Sequence, residues 1–196
     1  YSTDKTTNSF GLGGKWGPIK EAELRGSYQR AVRAANIVEL FSAQGYNLFN
    51  GGDPCGAEIG STPSATLEQC LRTGLLPSQY GSAALISPAG QYNYLQGGNP
   101  DLDPETAKTY TIGGVFQMPN MSATIDYWHI GVDDAIGVVP SQGALTQCVQ
   151  NGLLCNLIFR GPNGNLWLPN QGYILGTNQN LGSYTTSGID FTFNYM

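Results

Sequence analysis

Charge is what this chain has least of. Charged residues are 12% of its 196 positions, about half the usual share, with 9 Lys and Arg against 14 Asp and Glu. A net charge of -5 and the lack of any basic cluster disfavour a phosphate-backbone partner, so no nucleic acid is expected. No apolar run reaches the roughly 18 residues of a membrane-spanning helix. That excludes a helical span but not a barrel, whose strands signal weakly. A signal peptide and an initiator Met are also missing: the chain begins YSTDKTTNSF, as a mature product or an internal piece would. No P-loop, nucleophile elbow or paired-carboxylate motif occurs. The single histidine, His129, stands beside Trp128 with no Ser, Cys or Asp constellation around it. We expect no catalysis and no cofactor. Neither cysteine pair has zinc-ligand spacing, so no metal site is expected.

What is present points to extended chain. Glycine is very high at 27 residues and tyrosine common at 11, the composition of strands, turns and uncharged loops. Five segments alternate with period two. In NSFGLGGKWGPI, Phe10, Leu12, Gly14 and Trp16 share one face, and Gly17-Pro18 predicts a tight turn. In EAELRGSYQRAVR, Ala22, Leu24, Gly26 and Tyr28 oppose Glu21, Glu23, Arg25, Ser27 and Gln29. A third strand, in TAKTYTIGGVFQM, sets Tyr110, Ile112, Gly114 and Phe116 against Thr109, Thr111, Gly113 and Gln117. After a turn at Pro119-Asn120, the stretch MSATIDYWHIGVDDAIG sets Ala123, Ile125 and Tyr127 against Ser122, Thr124 and Asp126. Its phase changes beyond Trp128, where a bulge or the membrane boundary would fit. The last strand, SGIDFTFNYM (Ser187 to Met196), turns Ile189, Phe191, Phe193 and Tyr195 one way, and Asp190, Thr192 and Asn194 the other.

The connections are asymmetric. Two are tight turns, whereas two are very long, roughly Ala34 to Glu105 and Ile136 to Thr186. Loops of that size argue against a compact soluble domain. Short turns at one end and long loops at the other fit an outer-membrane barrel. Within the loops, AANIVELFS (Ala34 to Ser42) predicts a helical turn or two, and LIFRGPNGNLWLP predicts a hairpin turning at Pro162 to Asn165. Cys55 with Cys70 and Cys148 with Cys155 form two local pairs, read as loop disulfides in an oxidising compartment. Each crosslink is worth on the order of 3 kcal/mol.

Two segments carry more than periodicity. LRGSYQRAVRAANIVELF (Leu24 to Phe41) and GGNPDLDPETAKTYTIGGVF (Gly97 to Phe116) resemble, in order, the "SY…AFRAP…ELF" and "GNPDLKPE" motifs of TonB-dependent outer-membrane receptors. ATIDYWHIGVDDAIG and NLGSYTTSGIDFTFNY resemble the two strands that follow. Arg33, Asn99, Pro100, Leu102, Pro104 and Glu105 are the residues that match the family motifs. Val32 and Ala35 depart from them, standing where the family has Phe and Pro. The resemblance implies an all-β fold: residues 1–196 as an antiparallel transmembrane segment of about five strands from a roughly 22-stranded barrel, with long extracellular loops. It implies the C-terminal half of that barrel, with the plug domain and remaining strands missing. It also implies an integral outer-membrane location, a TonB complex reached through the plug, contact with outer-membrane lipid and lipopolysaccharide, and import of a siderophore, cobalamin, oligosaccharide or peptide. No histidine lies between Ala35 and Asn99, where haem receptors of the family carry a ligand. Such a barrel reverses the usual burial, with apolar faces toward lipid and polar faces toward the lumen.

Candidate sites follow. Glu21, Glu23, Arg25, Gln29, Asp126 and Asp190 are expected on the lumen face, lining the path or pairing across the wall. GYNLFNGGDP (Gly45 to Pro54) and QYGSAALISPAGQYNYLQGGN (Gln79 to Asn99) combine Tyr, Asn, Gln and Gly. Tyr46 and Asn47, just before Leu48, together with Tyr80, Tyr92 and Tyr94, are candidate contacts for a sugar or an uncharged chelate. Asp133-Asp134 offers hard oxygen ligands to calcium but lacks further loop ligands, so solvated carboxylates are the plainer reading. A secreted, disulfide-bonded β-sandwich that binds glycans is the alternative. It explains the loops and cysteines but not the loop asymmetry.

Overall fold

The computed structural model describes residues 6–195. In chain order the strands are β1 (Phe10–Ile19), β2 (Ala22–Arg33), β3 (Gly45–Asn50), β4 (Gln91–Gly97), β5 (Glu105–Met118), β6 (Met121–Asp133), β7 (Ile136–Gly137), β8 (Ile158–Phe159), β9 (Tyr173–Thr177), β10 (Gln179–Asn180) and β11 (Ser183–Tyr195). The helices are α1 (Ile37–Phe41), α2 (Leu67–Leu71) and α3 (Ser141–Asn151). Two compact units result. A wall unit comprises residues 1–35, 103–136 and 180–196, and a loop unit comprises 36–102 and 137–179.

The wall is one five-stranded sheet in the order β1-β2-β5-β6-β11, every neighbour antiparallel. Its register lines up whole rows. Leu12, Tyr28, Tyr110, His129 and Ser187 form one row, and Trp16, Leu24, Gly114, Ile125 and Phe191 another, on the same face. Large apolar groups on that face stand open, with Leu12 at 78%, Ile112 at 66% and Phe191 at 67% exposure. A sandwich would have covered them with a second sheet, so that alternative falls. Tyr110 to Met118, the stretch of β5 that carries this face, is nine residues long, within the 9–11 that a tilted membrane strand needs. Beyond Tyr110 the face turns polar at once, through Arg30 paired with Lys108. The last strand starts at Ser183, earlier than the alternation suggested, and Met196 lies outside the described residues.

Two local expectations need correction. Gly17-Pro18 is not the turn: β1 runs on to Ile19, and the chain reverses at Lys20-Glu21. The register shifts between Trp16 and Ile19, a bulge that accommodates Pro18, which has no N–H for the ladder. Beyond Trp128, β6 keeps an unbroken register on both sides, so no bulge causes the phase change. Trp128 points to the polar face, where a Cβ on Gly188 would come within 2.6 Å of its ring. Ile130 and Val132 share that face, in the stretch where the opposite face has become polar.

The long connections are folded rather than loose. β3 and β4 from the first loop join β8 and β9 from the second in one sheet, ordered β3-β4-β9-β8, with β4 and β9 parallel. Leu85, Leu145, Leu166 and Ile174 are completely buried in its core, beside both disulfides, Cys55–Cys70 and Cys148–Cys155. α1 carries a capping box, in which Asn36 accepts from the Glu39 amide and the Glu39 carboxylate accepts from the Asn36 amide. The expected return strand after Pro162 does not form. The chain turns there, but Leu166 is buried and β8 pairs with Tyr173 and Ile174 instead.

Phe191 and Thr192 are neighbours on opposite faces of β11. Phe191→Arg is expected to cost about 2–4 kcal/mol near a bilayer midplane and to lower the heat-modifiable, folded fraction in outer membranes. Thr192→Arg should leave that fraction near wild type. Equal losses from the two would overturn the face assignment.

Candidate functional site

On the polar face of the wall, Lys15, Arg25, Gly113, Asp126 and Asp190 fall in one row. Arg25 reaches over Gly113 to Asp126, its Nε donating to Oδ1 at 2.8 Å and its Nη2 to Oδ2. Glycine is required between them: a Cβ at position 113 would lie 1.9 Å from Asp126 Oδ1. Lys15 pairs with Glu23 at 3.3 Å. Gln29 occupies the same face one hydroxyl row away, where Ser27 and Thr111 share a 2.6 Å hydrogen bond. Glu21 sits in the Lys20-Glu21 turn, off the strand.

The motif residues act at strand ends. Arg33 is registered opposite Glu105 and donates to its carboxylate, which also accepts from the Ile136 amide at 2.6 Å. Glu105 lies beyond the apolar rows, outside the membrane-spanning part of β5. The Arg33 hydrogen bond, opposed by partial burial and assisted by the Ile136 amide, holds its carboxyl below the ordinary value. Asn99 closes a turn by accepting from the Asp101 amide at 3.0 Å, and it donates to Asn178 O at 3.0 Å. Leu102 is buried and Pro100 and Pro104 flank it. Asp133 takes the Lys108 ammonium at 2.8 Å, and Asp134 is a left-handed turn residue whose carbonyl accepts from Asn180. The Asp133 carboxylate is thereby engaged within the wall.

In the loop unit the structure redistributes the tyrosines. Tyr92 is buried, and its hydroxyl accepts from the Asp53 and Ser87 amides at 3.2 Å each, so it is a core residue and not a ligand contact. Tyr80 packs against the core and donates to Ala65 O at 2.7 Å. Tyr94 is half-buried beside Gly176 and donates to Gln96. Tyr46 and Asn47 remain exposed on opposite faces of β3. Beside Tyr46 lies an aromatic strip that the sequence did not announce. Tyr46 meets Tyr173 edge-on at 5.4 Å, and Phe159 stacks on Tyr173 at 5.0 Å.

A second unannounced feature holds the loops together. Arg160 and Asp53, with side chains 3% and 0% exposed, form a bidentate pair at 2.5 and 3.1 Å. Arg160 also donates to Thr73 Oγ1 and Gly164 O at 2.7 Å each, and Asp53 accepts from the Cys55 amide at 3.0 Å. The one sequence signal was that Arg160 is the only charged residue between Gly137 and Gln179. Between the Asp53 loop and α3 a cleft of about 480 Å³ opens, walled by Gln69, Gln142 and Gln150.

Comparison with known proteins adds the following. The family description "TonB dependent receptor-like, beta-barrel" matches residues 1–196. Among solved structures, the siderophore receptor PirA from Acinetobacter baumannii is similar at TM-score 0.54 and 16% identity, over 95% of this chain and 20% of that one. A ferric enterobactin receptor (PfeA) mutant from Pseudomonas aeruginosa, in complex with enterobactin, is similar at TM-score 0.52 and 13% identity, over 93% of this chain and 19% of that one. At such identities the likeness is one of fold. The chain spans about a fifth of the length of these receptors. No curated protein sequence matches it.

Removing one member of a buried pair strands the other, at about 3–5 kcal/mol. Asp53→Ala should therefore open residues 36–102 and 137–179 to limited proteolysis while the barrel keeps its heat-modifiable mobility. For Glu105 the folded-state pKa is depressed, so its contribution is complete above the usual carboxylate range and is lost as pH falls through the folded value. The difference in thermal stability between wild type and Glu105→Gln in detergent should be constant at neutral pH and shrink as pH is lowered below about 5. A constant difference would disprove the Arg33 coupling.

Proposed function

This chain belongs to the TonB-dependent receptor β-barrel family, and from that premise we propose that it forms wall and outer loops of a receptor that captures a scarce extracellular ligand and imports it. The work is binding, gating and plug rearrangement, with no covalent step. Energy arrives from a TonB complex acting on a plug domain, and the apolar rows of the wall meet outer-membrane lipid and lipopolysaccharide. Residues 1–196 act as one partial barrel domain, with the loop unit outside the cell.

The observation that carries this reading is the registered wall. One face is mostly apolar and uncovered from Leu12 across to Phe191, and the other carries Glu23, Arg25, Gln29, Asp126 and Asp190. Open apolar area of that kind suits lipid, and the polar face suits a wet lumen. Accordingly, those five residues line the lumen. Tyr46, Asn47 and Tyr94 are the candidate ligand contacts that remain accessible, joined by Phe159 and Tyr173.

The test is fractionation combined with a tonB deletion. The receptor should partition with outer membranes and change gel mobility on heating. Deleting tonB should abolish uptake of the limiting nutrient while leaving the receptor in place. A folded monomer of this chain, stable without detergent, would overturn the reading.

A further inference from the structure

The loop unit is short of free positive charge. Residues 36–102 and 137–179 contain two cations, Arg72 and Arg160, against Glu39, Asp53, Glu58, Glu68 and Asp101. Arg160 is buried against Asp53. Arg72 is occupied by Glu68 at 3.7 Å and by the carbonyls of Val149 and Gln150 at 3.4 and 3.5 Å. Recognition of an anionic chelate needs guanidinium or ammonium groups free to form charge-assisted hydrogen bonds. This unit has committed both of its own.

The cleft beside α3 offers a different chemistry. Its floor is Ala65 and Val149, both buried, and its walls are side-chain amides and hydroxyls. Gln142 is held rigid, its Nε2 donating to Gly52 O at 3.1 Å and its Oε1 accepting from Gly52 N at 3.0 Å. The Thr146 hydroxyl, in the cleft lining, donates to Gln142 O at 2.8 Å and keeps its acceptor capacity. Gln69 spends its Oε1 on the Thr66 amide and keeps its NH2 end. The Gln150 amide makes no hydrogen bond among the described residues. The Asp53 carboxylate at the back is neutralised by Arg160.

We propose that this cleft binds an uncharged oligosaccharide, a reading that rests on the receptor function above and names its ligand class. The Gln150 amide presents a donor and an acceptor side by side, the complement of vicinal hydroxyls, and Gln69 adds its NH2 donor, while Ala65 and Val149 give the C–H face of a ring an apolar floor. Its size lies in the range of small-ligand pockets. A peptide would look instead for an open strand edge or side-chain pockets, and the cleft, built from a helix and a disulfide loop, has neither.

Isothermal titration of the full receptor in detergent tests this, with malto-, cello- and xylotriose as neutral probes and a ferric tris-catecholate trianion as the charged one. At least one triose should bind, and Gln150→Ala and Gln69→Ala should each weaken it about tenfold, the loss of one or two hydrogen bonds. Unchanged heat modifiability together with unchanged protease resistance of residues 36–102 and 137–179 confirms that the variants fold. The proposal is overturned if no triose binds, if binding ignores both substitutions, or if the trianion binds and displaces the sugar. TonB-dependent uptake of any nutrient would leave the receptor reading standing in each of those cases, whereas its absence would sink that reading as well.

Discussion

A guanidinium taken out of water must have its donors matched, and Arg160 is where the loop unit meets that demand. Two of its groups grip Asp53, one takes Thr73, and one is shared with a backbone carbonyl. Thr73 in turn donates to Cys70 O, and Asp53 accepts from Cys55 N, so the pair is wrapped around the Cys55–Cys70 crosslink. Residues 107 positions apart are thereby fixed to each other. With that geometry set, β4 and β9 lie parallel, the four leucine and isoleucine side chains close the core, and Tyr92 is sealed inside. Buried ion pairs add little net stability over a well-packed apolar substitute, but half of one is strongly destabilising. The arrangement specifies which loop segment meets which.

The wall obeys a different constraint. Lipid offers no hydrogen bonds, so every backbone group has to be satisfied by a neighbouring strand, and register then decides the fate of each side chain. Glycine matters here for space rather than flexibility. Gly113 clears the way for Arg25 to reach Asp126, and Gly188 makes room for the Trp128 ring on the polar face. Both are consequences of pairing partners that lie far away in sequence.

Period-two alternation made the five wall strands and their two faces legible, because a strand's side chains alternate whatever its partners are. The motif residues were legible as a pattern but not as roles. That Arg33 and Glu105 stand opposite each other depends on β2 pairing with β5 across a 71-residue interval. The turn at Lys20-Glu21 was missed because Pro18 signals a turn locally, and only the bulge in the β1–β2 pair shows why the strand continues past it. Tyr92 was misjudged for a related reason. Tyrosine suits a ligand surface or a core with equal ease, and the Asp53 and Ser87 amides settle which.

The sequence by itself determined the strand faces, the low charge, the disulfide pairs and the family motifs, since each depends on residue identity or on spacing of a few positions. Only the tertiary structure decided that the long connections form one sheet with a core, that Arg160 finds Asp53, and that three glutamines border a neutral cleft. Those are long-range pairings, and local chemistry carries no record of which distant segment will supply the partner.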